Sequence, residues 1–528
     1  MSDLAPLYIA TAGAGAELTP EIAGGKAALL WRMSRLGLDV PPAFVLPTTL
    51  CKRVNDGDGQ AVKAMEEGLA QGIARLEATT GRRFGDGREP LLVSVRSGAA
   101  KSMPGMMETI LDVGLNPESL RGLIALTGNP RLAFDSYRRF VQLFGEVVEG
   151  VPAAAFEERL NALLLAEQVP GEADLDPEAL ERLAHDYLAI FARHTGHAMP
   201  VDPMRQLLAA TRAVFASWDG DKAREYRRLN GLENLEGTAV TVQVMVFGNA
   251  GGRSGAGVAF SRNPATGMPG LYADFLFDAQ GEDVVAGRRV PGDIELLDQR
   301  LPVQAAALRR GAQALERAFA DMQDIEFTIE EGRLWFLQTR AAKRTPRAAL
   351  RMVIDAVEEG LIDRETALER VAAIDLSAAV VSRFATPAKA AATATPASPG
   401  VACGRVAFDS ARAVAMSSAG EPVILVRHDT STDDVAGFAV AAGILTAVGG
   451  RTAHAAVVAR QMGRPCLVGC HGLAIGADAV RLDGETLREG DWLCLDGETG
   501  DVTLGRREIV VERPEEALAE IEGWRQAG

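Results

Sequence analysis

The spacing of apolar residues separates strand-rich regions from a helical one in the first two thirds of the chain. Residues 1–115 mix short apolar runs with glycine-rich turns, which predicts strands. From about 116 to 230 apolar residues recur every three or four positions, as in PEALERLAHDYLAIFARH, which predicts helices. Strand patterns return from 238 to 340 in TAVTVQVMVFG, GAGVAFS and DIEFTIEEGRLWFLQTR. The last of these predicts a hairpin, because two alternating runs flank a Glu-Glu-Gly turn.

The remainder of the chain shows a further change of pattern. Residues 344–374 predict a helical pair, and 386–400, TPAKAAATATPASPG, have no apolar periodicity and predict a flexible linker. Residues 401–508 alternate short strands and helices, which predicts a compact α/β domain. The tail that follows carries Leu518, Ile521 and Trp524 at three-residue spacing, an apolar stripe that fits packing on its own domain or on a partner.

Composition limits the classes of partner and compartment. The 528 residues are 47% hydrophobic and 24% charged, as in globular proteins, and the net charge of −16 argues against a nucleic-acid or anionic membrane surface. No secretory signal and no run of about 18 apolar residues is present, so we expect no membrane association. Five scattered cysteines predict no disulfide framework and a reducing cytoplasm. Cys466, Cys470 and His471 are a disfavoured alternative as a zinc site, because two of them lie in an apolar strand-like run.

Two glycine-rich stretches near the amino terminus have the composition of phosphate-binding elements. In GGKAALLWRM, Gly24 and Gly25 precede Lys26 at the start of a helix, where close backbone approach and free amides favour phosphate. The spacing is not that of a Walker A loop, and a surface lysine is the alternative. In LLVSVRSGAAKSMPGMMETIL, Arg96 is predicted to end a strand before a loop of small residues. That setting suits bidentate phosphate binding, and a strand-end salt bridge is the alternative.

The predicted hairpin places polar side chains in pairs. Asp324 and Glu326 are two residues apart and therefore project from one face of a strand, and Gln338 and Arg340 do the same on the return strand. Paired carboxylates suit Mg²⁺, and a nearby arginine offsets charge that develops during phosphoryl transfer. A charged solvent face is the alternative. SGAGVAFSRNPATG, with Arg262, is predicted to be a further glycine-rich loop, and the four elements together predict an ATP-binding cleft.

His454 stands alone in GGRTAHAAVVARQMGRP, without a neighbouring ligand or nucleophile. Thr452 is the predicted N-cap, which would place His454 in the first turn of a helix. An imidazole there could accept a phosphoryl group, whose charge the helix amides would stabilise. The alternative is a structural histidine. The predicted linker favours phosphoryl acceptance, because a covalent carrier benefits from a domain that can swing.

These stretches closely resemble the pyruvate, phosphate dikinase family of PEP-utilising enzymes. The resemblance runs from about residue 20 to 505 and is carried by GGKAALLWRMSRLGLDVPPAFVLPTT, LLVSVRSGAAKSMPGMMETILDVGLN, TVQVMVFGNAGGRSGAGVAFSRNPATG, AQGEDVVAG, MQDIEFTIEEGRLWFLQTR and GILTAVGGRTAHAAVVARQMGRPCLVGC. It implies a multidomain α/β and α+β fold in which an ATP-grasp nucleotide-binding domain precedes a swivelling phosphohistidine domain. The expected bounds are 1–343 for the first domain with its helical insert, 344–400 for the helical pair and linker, 401–508 for the second domain and 509–528 for the tail.

The resemblance also implies roles for seven residues and a reaction. The nucleotide and phosphate ligands would be Lys26, Arg96, Gln338 and Arg340, the metal ligands Asp324 and Glu326, and the catalytic residues His454, Arg340 and Arg96. In this family ATP gives its β-phosphate to the histidine and its γ-phosphate to inorganic phosphate, leaving AMP and pyrophosphate. We therefore expect Mg²⁺ as cofactor, ATP and phosphate as substrates, and pyruvate or phosphoenolpyruvate as the onward partner.

Two departures from the family pattern leave alternatives open. Gly-Gly-Met-Thr-Ser-His is replaced here by Gly-Gly-Arg-Thr-Ala-His, and Arg451 resembles phosphoenolpyruvate synthase, which transfers the γ-phosphate to water. The RSGAA and MPGMM segments favour phosphate. The family's C-terminal (β/α)₈ barrel is expected where this sequence ends at Gly528, which predicts that a separate barrel-type subunit binds the acceptor. A non-catalytic nucleotide-binding regulator is the remaining alternative, and family-type residues at all seven positions favour the enzyme.

Overall fold

The computed structural model describes most of the chain, namely residues 4–9, 17–101, 103, 108–169, 171–285, 291–430, 434–451, 453–475, 480–482 and 484–527. The chain divides into two compact units, one of Met1–Gly251 with Trp335–Gln338 and one of Gly252–Leu334 with Thr339–Gly528. Among the described residues, no helix combines the length and the apolar character that crossing a bilayer requires.

The first unit contains nine helices and seven strands in its described part. The helices are α1 Pro20–Arg35, α2 Thr48–Asn55, α3 Gly59–Thr80, α4 Pro117–Thr127, α5 Pro130–Glu149, α6 Ala153–Glu167, α7 Pro177–Thr195, α8 Pro203–Ser217 and α9 Asp221–Leu229. The strands are β1 Leu7–Ile9, β2 Ala43–Leu46, β3 Arg83–Phe84, β4 Pro90–Leu91, β5 Val93–Ala99, β6 Thr109–Val113 and β7 Thr238–Val244. The helical pattern predicted from about 116 to 230 is confirmed by α4 to α9.

Four of those helices begin in the same way. Asn or Asp stands at the N-cap, its side chain accepts hydrogen bonds from the first-turn amides, and proline follows at the first helical position. The N-caps are Asn116, Asn129, Asp176 and Asp202. The first unit's main sheet has the order β1-β2-β7-β5-β6 and is antiparallel throughout. Strands β2 and β7 are buried at every position, and β2 is accordingly apolar throughout.

The second unit contains the remaining elements. Its helices are α10 Gly281–Val285, α11 Ile294–Arg300, α12 Pro302–Phe319, α13 Pro346–Glu358, α14 Arg364–Ala372, α15 Ser410–Ser418, α16 Val435–Val440, α17 His454–Gln461 and α18 Glu515–Ala527. Its strands are β8 Gly255–Arg262, β9 Pro269–Phe277, β10 Gln323–Glu330, β11 Arg333–Ala341, β12 Val381–Phe384, β13 Ala392–Thr393, β14 Thr395–Ser398, β15 Val401–Ala407, β16 Val423–Arg427, β17 Gly443–Thr446, β18 Cys466–Val468, β19 Leu473–Ile475, β20 Val480–Leu482, β21 Glu485–Leu487, β22 Trp492–Asp496, β23 Asp501–Leu504 and β24 Ile509–Glu512.

A four-stranded sheet of order β11-β10-β8-β9 opens the second unit. The predicted hairpin is confirmed as β10 and β11. Its turn has Glu331 and Gly332 at φ 48° and 81°, and positive φ at both central residues is the geometry of a type I′ turn. Helices α10 to α12 lie between β9 and β10, where only strands were predicted. The sequence does carry start signals for two of these helices, Asp293 as the N-cap of α11 and Pro302 at the start of α12.

An eight-stranded sheet forms the core of the predicted α/β domain, in the order β13-β23-β22-β15-β16-β17-β18-β14. Strands β15 to β18 are parallel to one another, and the strands at both margins are antiparallel to their neighbours. Parallel strands need crossover connections, which α15, α16 and α17 provide. The chain leaves β17 at its carboxyl end and enters α17 at His454.

The segment 386–400 is not the structureless linker that its composition predicts. It contains β13, which pairs with β23, and β14, which pairs with β18, and Ala392, Ala397 and Ser398 are buried. These strands lie at the two margins of the sheet, and the pairing of β14 shifts register at Pro396, where proline has no amide to donate. The exposed loop is shorter and covers Thr386–Lys389.

The tail packs within the second unit. Strand β24 pairs with β12, so the chain that enters the eight-stranded sheet runs beside the chain that leaves it. Helix α18 then buries Ile521 and Trp524 among apolar residues of the helical pair α13–α14. Of the two possibilities that the sequence left open for this stripe, packing on the chain itself is the one observed.

The cysteine prediction is wrong at one pair. Cys403 and Cys494 lie opposite each other on the antiparallel strands β15 and β22 and form a disulfide. They are 91 residues apart in sequence, so their pairing depends on strand register, which linear spacing does not show. Cys466 and Cys470 are buried and form no disulfide. Among the described residues, no group of three or more His, Cys, Asp or Glu side chains that could hold a metal ion is found.

Candidate active site

The two glycine-rich stretches of the first unit meet each other. Gly24 has φ 76°, which breaks the regular course of α1 just before Lys26. A Cβ at Gly24 would lie 2.6 Å from the carbonyl carbon of Gly98 on β5, so a side chain cannot be accommodated there. The close backbone contact places the second segment of α1, which begins near Lys26, against the strand that carries Arg96.

Arg96 lies within a strand and not at its end, which corrects the prediction. Strand β5 continues to Ala99, because the small residues after Arg96 pair with β7 in regular register. Arg96 is opposite Thr241 on β7 and Thr109 on β6, so the three side chains share one face of the sheet. Within the described residues Arg96 forms no ion pair with a carboxylate, which removes the salt-bridge alternative there.

Gln338 also belongs to the first unit, in the short stretch Trp335–Gln338. Its strand is fixed nearby by a hydrogen bond of 2.8 Å from the Phe336 amide to the Asp39 carbonyl. Lys26, Arg96 and Gln338 are thus the predicted ligands of the first unit. Asp324, Glu326, Arg340 and His454 are those of the second.

The carboxylate pair lies on β10, as the alternation predicts. Asp324 is opposite Phe260 on β8, which is opposite Tyr272 on β9. Two residues further along β10, Glu326 is opposite Val258 on β8, which is opposite Asp274 on β9. Directly opposed residues and residues two apart share a face of an antiparallel sheet. Asp324, Glu326 and Asp274 therefore project from the same face, which we call the carboxylate face.

Arg340 fixes one oxygen of Asp324 and leaves the other available. Its Nε donates to Asp324 Oδ2 at 2.8 Å, whereas Oδ1 is buried without a hydrogen-bond partner among the described residues. Burial raises the pKa of Asp324 despite the lowering effect of Arg340. Burial by itself would lower the pKa of Arg340, but Asp324 and Glu326 outweigh it and raise that pKa. A buried carboxylate oxygen without a hydrogen bond is suited to act as a ligand of a hard cation.

His454 is the first residue of α17, and its N-cap is Ala453, whose side chain makes no capping hydrogen bond. The prediction of a histidine in the first turn is confirmed. The N-cap prediction was one residue early, and Thr452 itself lies outside the described residues. The position follows the carboxyl end of the parallel strand β17, where α/β sheets commonly bind ligands.

The turn before His454 rests on the carboxylate-bearing sheet. A Cβ at Gly450 would lie 2.9 Å from Asp274 Oδ2 and would overlap Pro291, so glycine is required for this approach. The Arg451 guanidinium lies 4.8 Å from the centre of the Tyr272 ring, in a cation–π arrangement. A cavity of about 190 Å³ remains beside the turn, lined by Asp274, Pro291, Gly292, Asp293, Thr395, Gly450 and Arg451.

Arg460, near the end of α17, lies over the same sheet face and was missed by the sequence analysis. Its guanidinium is 5.5 Å from the centre of the Phe260 ring, and the residue is 1% exposed. A signal was present, since Arg460 interrupts the small apolar run that follows His454. Asp274 was missed as well, because it is separated from Glu326 by 52 positions and joins it only through strand register.

Arg262 does not belong to a ligand-binding loop. It ends strand β8, and its guanidinium pairs with Glu316, Asp355 and Glu359 at 2.6–2.7 Å. Because its hydrogen-bonding nitrogens are used in these pairs, we assign Arg262 to the packing of β8 against α12 and α13. The fourth predicted phosphate-binding element is therefore a structural strand.

Two family models match most of this chain. The model for the pyruvate phosphate dikinase AMP/ATP-binding domain matches residues 61–306 and 301–361, and that for the PEP-utilising enzyme mobile domain matches 419–500. The chain belongs to the pyruvate, phosphate dikinase family. The resemblance inferred from the motifs is thus confirmed, as is the fold class, an ATP-grasp domain with a mobile domain.

Several pyruvate, phosphate dikinases are similar over nearly the whole chain. That of Clostridium symbiosum is 46% identical over 489 residues, covering 91% of this chain and 56% of its own length. The Zea mays enzyme called pyruvate, phosphate dikinase 2 is 44% identical over 495 residues, covering 93% of this chain and 56% of its own. The second Oryza sativa dikinase is 44% identical, with 97% and 58% coverage. The chain spans a little over half the length of these relatives.

Proposed function

We propose that this member of the dikinase family is an ATP-dependent phosphotransferase that moves the β-phosphoryl group of ATP to His454. One observation carries the proposal. The turn Gly449–Arg451, immediately before His454, rests on the sheet whose face bears Asp324 and Glu326. This contact lies within the second unit, so the fold itself supports the delivery of the histidine to a pair of carboxylates.

The chemistry balances with two bond exchanges. An imidazole nitrogen of His454 bonds to the β-phosphorus, and the bond from that phosphorus to the α,β-bridging oxygen breaks, so AMP leaves. The γ-phosphoryl group is lost from the β-phosphate to an oxygen of inorganic phosphate, which gives pyrophosphate. Phospho-His454, AMP and pyrophosphate are the products, and no oxidant or reductant is needed.

Asp324 and Glu326 fit a Mg²⁺ site. The supporting observation is that the Oδ1 of Asp324 is buried and has no hydrogen-bond partner among the described residues, on the face of the sheet that Asp324 shares with Glu326. Two protein carboxylates suit Mg²⁺ when substrate phosphates and water complete its shell. When bound, Mg²⁺ would neutralise phosphate charge during the transfer. Arg340, which is fixed on Asp324, would add a cation beside the transferring group.

Lys26, Arg96 and Gln338 would bind the nucleotide and phosphate from the first unit. The contact of Gly24 with Gly98 supports this role for Lys26 and Arg96, because it leaves backbone and cationic groups together without bulky side chains. An arginine without a carboxylate partner in the described structure is suited to a phosphate oxygen. Arg96 would thereby act on the reacting phosphates, and Lys26 would serve as a point charge.

Inorganic phosphate is the proposed acceptor of the γ-phosphoryl group. The replacement of methionine by Arg451 had suggested water as an alternative. In the structure Arg451 stacks on Tyr272, so a docking contact accounts for the arginine without a change of acceptor. We further propose that phospho-His454 passes its phosphoryl group to pyruvate or another acceptor. The support is the activity named for the relatives.

Product analysis tests the proposal. The chain is incubated with Mg²⁺ and γ-labelled ATP, with and without unlabelled phosphate, and the products are separated. We expect AMP in an amount matching phosphorylated protein, and γ-label in pyrophosphate that depends on added phosphate. γ-Label released as free phosphate would favour water as acceptor. ATP binding without AMP formation would support a non-catalytic regulator instead.

A further inference from the structure

The buried guanidinium of Arg460 is not satisfied by the protein. Nη1 donates to the carbonyl of Arg451 at 2.8 Å and to that of Ala397 at 2.7 Å. Nε and Nη2 are buried and have no hydrogen-bond partner among the described residues, and no carboxylate pairs with the side chain there. Asp274 and Asp324 attract the guanidinium without forming an ion pair with it. Burying these nitrogens without hydrogen bonds is costly, because their hydration is lost without full replacement. The arrangement is therefore that of an anion site.

The surroundings of the unsatisfied nitrogens indicate which anion. The bond to Arg451 holds the guanidinium beside the turn that leads into α17, at the end of the helix where His454 stands. The first-turn amides there receive no side-chain cap from Ala453. Helix amides and a guanidinium thus converge on the start of α17, a combination that suits a phosphoryl group.

The same guanidinium also faces the sheet. Its position over Phe260 places it on the carboxylate face, because Phe260 is directly opposite Asp324. A cation carried on the histidine's own helix would therefore arrive at the metal-binding carboxylates together with the histidine. Arginines supplied in this way stabilise charge on a transferring phosphoryl group.

We propose that Arg460 binds the phosphoryl group that His454 accepts, both during transfer and afterwards on the phosphohistidine. The inference rests on the proposed function, since it assigns a ligand to the phosphoryl group of the same site. The structural alternative is that Arg460 only holds the Arg451 carbonyl in place. The pKa of the phosphoryl group distinguishes these two roles of Arg460, because an arginine that only holds the Arg451 carbonyl does not change it.

The experiment phosphorylates His454 chemically, with potassium phosphoramidate, so that it does not depend on the reaction with ATP. The second ionisation of the phosphoryl group is then followed by ³¹P NMR in the full chain. A guanidinium ligand favours the dianion, so we expect this pKa to be higher in Arg460→Gln than in the unsubstituted protein, with Arg460→Lys in between. Arg464→Gln is the matched control, because Arg464 also donates to a backbone carbonyl, that of Ala439 at 3.3 Å.

The reaction with ATP supplies the second readout. We expect Arg460→Gln to form phosphohistidine from ATP on the order of 10²-fold more slowly, with unchanged ATP affinity, and millimolar guanidinium to restore part of the rate in Arg460→Gly. Equal phosphoryl pKa values in Arg460→Gln, Arg460→Lys and the unsubstituted protein would overturn the inference. If the unsubstituted chain fails with ATP but the NMR shift is present, the proposed function fails while Arg460 remains a phosphoryl ligand.

Discussion

The Nε of Arg340 donates a hydrogen bond of 2.8 Å to Asp324 Oδ2, and Oδ1 of the same carboxylate is left buried without a partner among the described residues. The two oxygens of one carboxylate are therefore in different situations. One accepts a hydrogen bond from the Arg340 guanidinium, and the other belongs to a side chain that shares its face of the sheet with Glu326. The pair thereby connects the predicted metal site to the predicted phosphate site.

Loss of the Arg340 guanidinium or of the Glu326 carboxylate should stop phosphorylation of His454 without unfolding the protein. We expect Arg340→Ala and Glu326→Ala each to lower the rate of phosphohistidine formation by about 10²-fold or more, the usual effect of losing one electrostatic partner of a reacting group. Rates are measured by quenched labelling. Arg344→Ala is the control, because Arg344 pairs with Asp321 at 2.8 Å, outside the proposed site. Equal effects of Arg340→Ala and Arg344→Ala would place the phosphate site elsewhere.

The contact between Gly24 and Gly98 should be required for nucleotide binding. Gly24→Ala adds a Cβ that collides with the Gly98 backbone, and it does so at φ 76°, so α1 must move away from β5. We expect ATP affinity, measured by calorimetry, to fall at least tenfold. Gly37→Ala is matched in backbone conformation, with φ 78°, but has nothing within 4 Å. It should cost only about 1 kcal/mol of folding free energy and leave ATP affinity unchanged. Unimpaired binding by Gly24→Ala would argue against this phosphate site.

The strand assignment of 386–400 changes the effect expected of deletions. Removal of Thr395–Ser398 eliminates β14 and the buried Ala397, so we expect loss of the cooperative unfolding transition of the mobile domain in calorimetry. Removal of Pro387–Lys389, which is exposed, should leave that transition in place. If the unfolding transition survives both deletions equally, the segment 386–400 is a linker and not part of the sheet.

Local patterns predict the elements well where the signals lie within a few residues. The hairpin followed from alternation and its Glu-Gly turn, and the helical insert from Asx-Pro starts and apolar periodicity. Strands β13 and β14 were missed because two to four Ala, Thr, Pro and Ser residues give no alternation to detect. The end of β5 was placed too early because Ser97, Gly98 and Ala99 look like a loop until they are paired with β7.

The membership of the site was predictable only in part. Residue type and spacing identified Asp324, Glu326 and Arg340, since they lie on adjacent strands of one hairpin. The break that Arg460 makes in an apolar run did not show its partners, and Asp274 gave no signal, because these residues join the others through packing of α17 on the sheet and through strand register. Long-range pairing of this kind leaves no mark in linear spacing.

A buried ion pair in the helical insert should make stability depend on pH. Burial opposes ionisation of Asp135, but Arg139 and Arg138 lower its pKa to about 2 from 3.8. Because the folded pKa lies below the unfolded one, this stabilisation is complete above about pH 4 and is lost as the pH falls towards 2. At 1.36 kcal/mol per pKa unit it amounts to about 2 kcal/mol.

Denaturant unfolding of variants checks this assignment. Asp135→Asn should lower the free energy of unfolding by about 3 kcal/mol at neutral pH, because the buried Arg138 and the partly buried Arg139 each lose a partner, and should flatten its decline in acid. Asp186→Asn, which breaks a half-exposed pair with Arg159 of 2.6 Å, should cost less than about 1 kcal/mol. A steep acid decline that persists in Asp135→Asn would assign the proton uptake to other groups.

The most direct test of the proposed function is to locate the β-phosphoryl group. The chain is incubated with Mg²⁺, phosphate and ATP labelled at the β-position, and the protein is digested under alkaline conditions, in which a phosphoramidate survives. We predict one acid-labile, labelled peptide that contains His454, and its absence from His454→Asn, whose ATP affinity remains close to that of the unsubstituted chain. Label retained by His454→Asn, or label on the protein from the γ-position but not the β-position of ATP, would contradict the account.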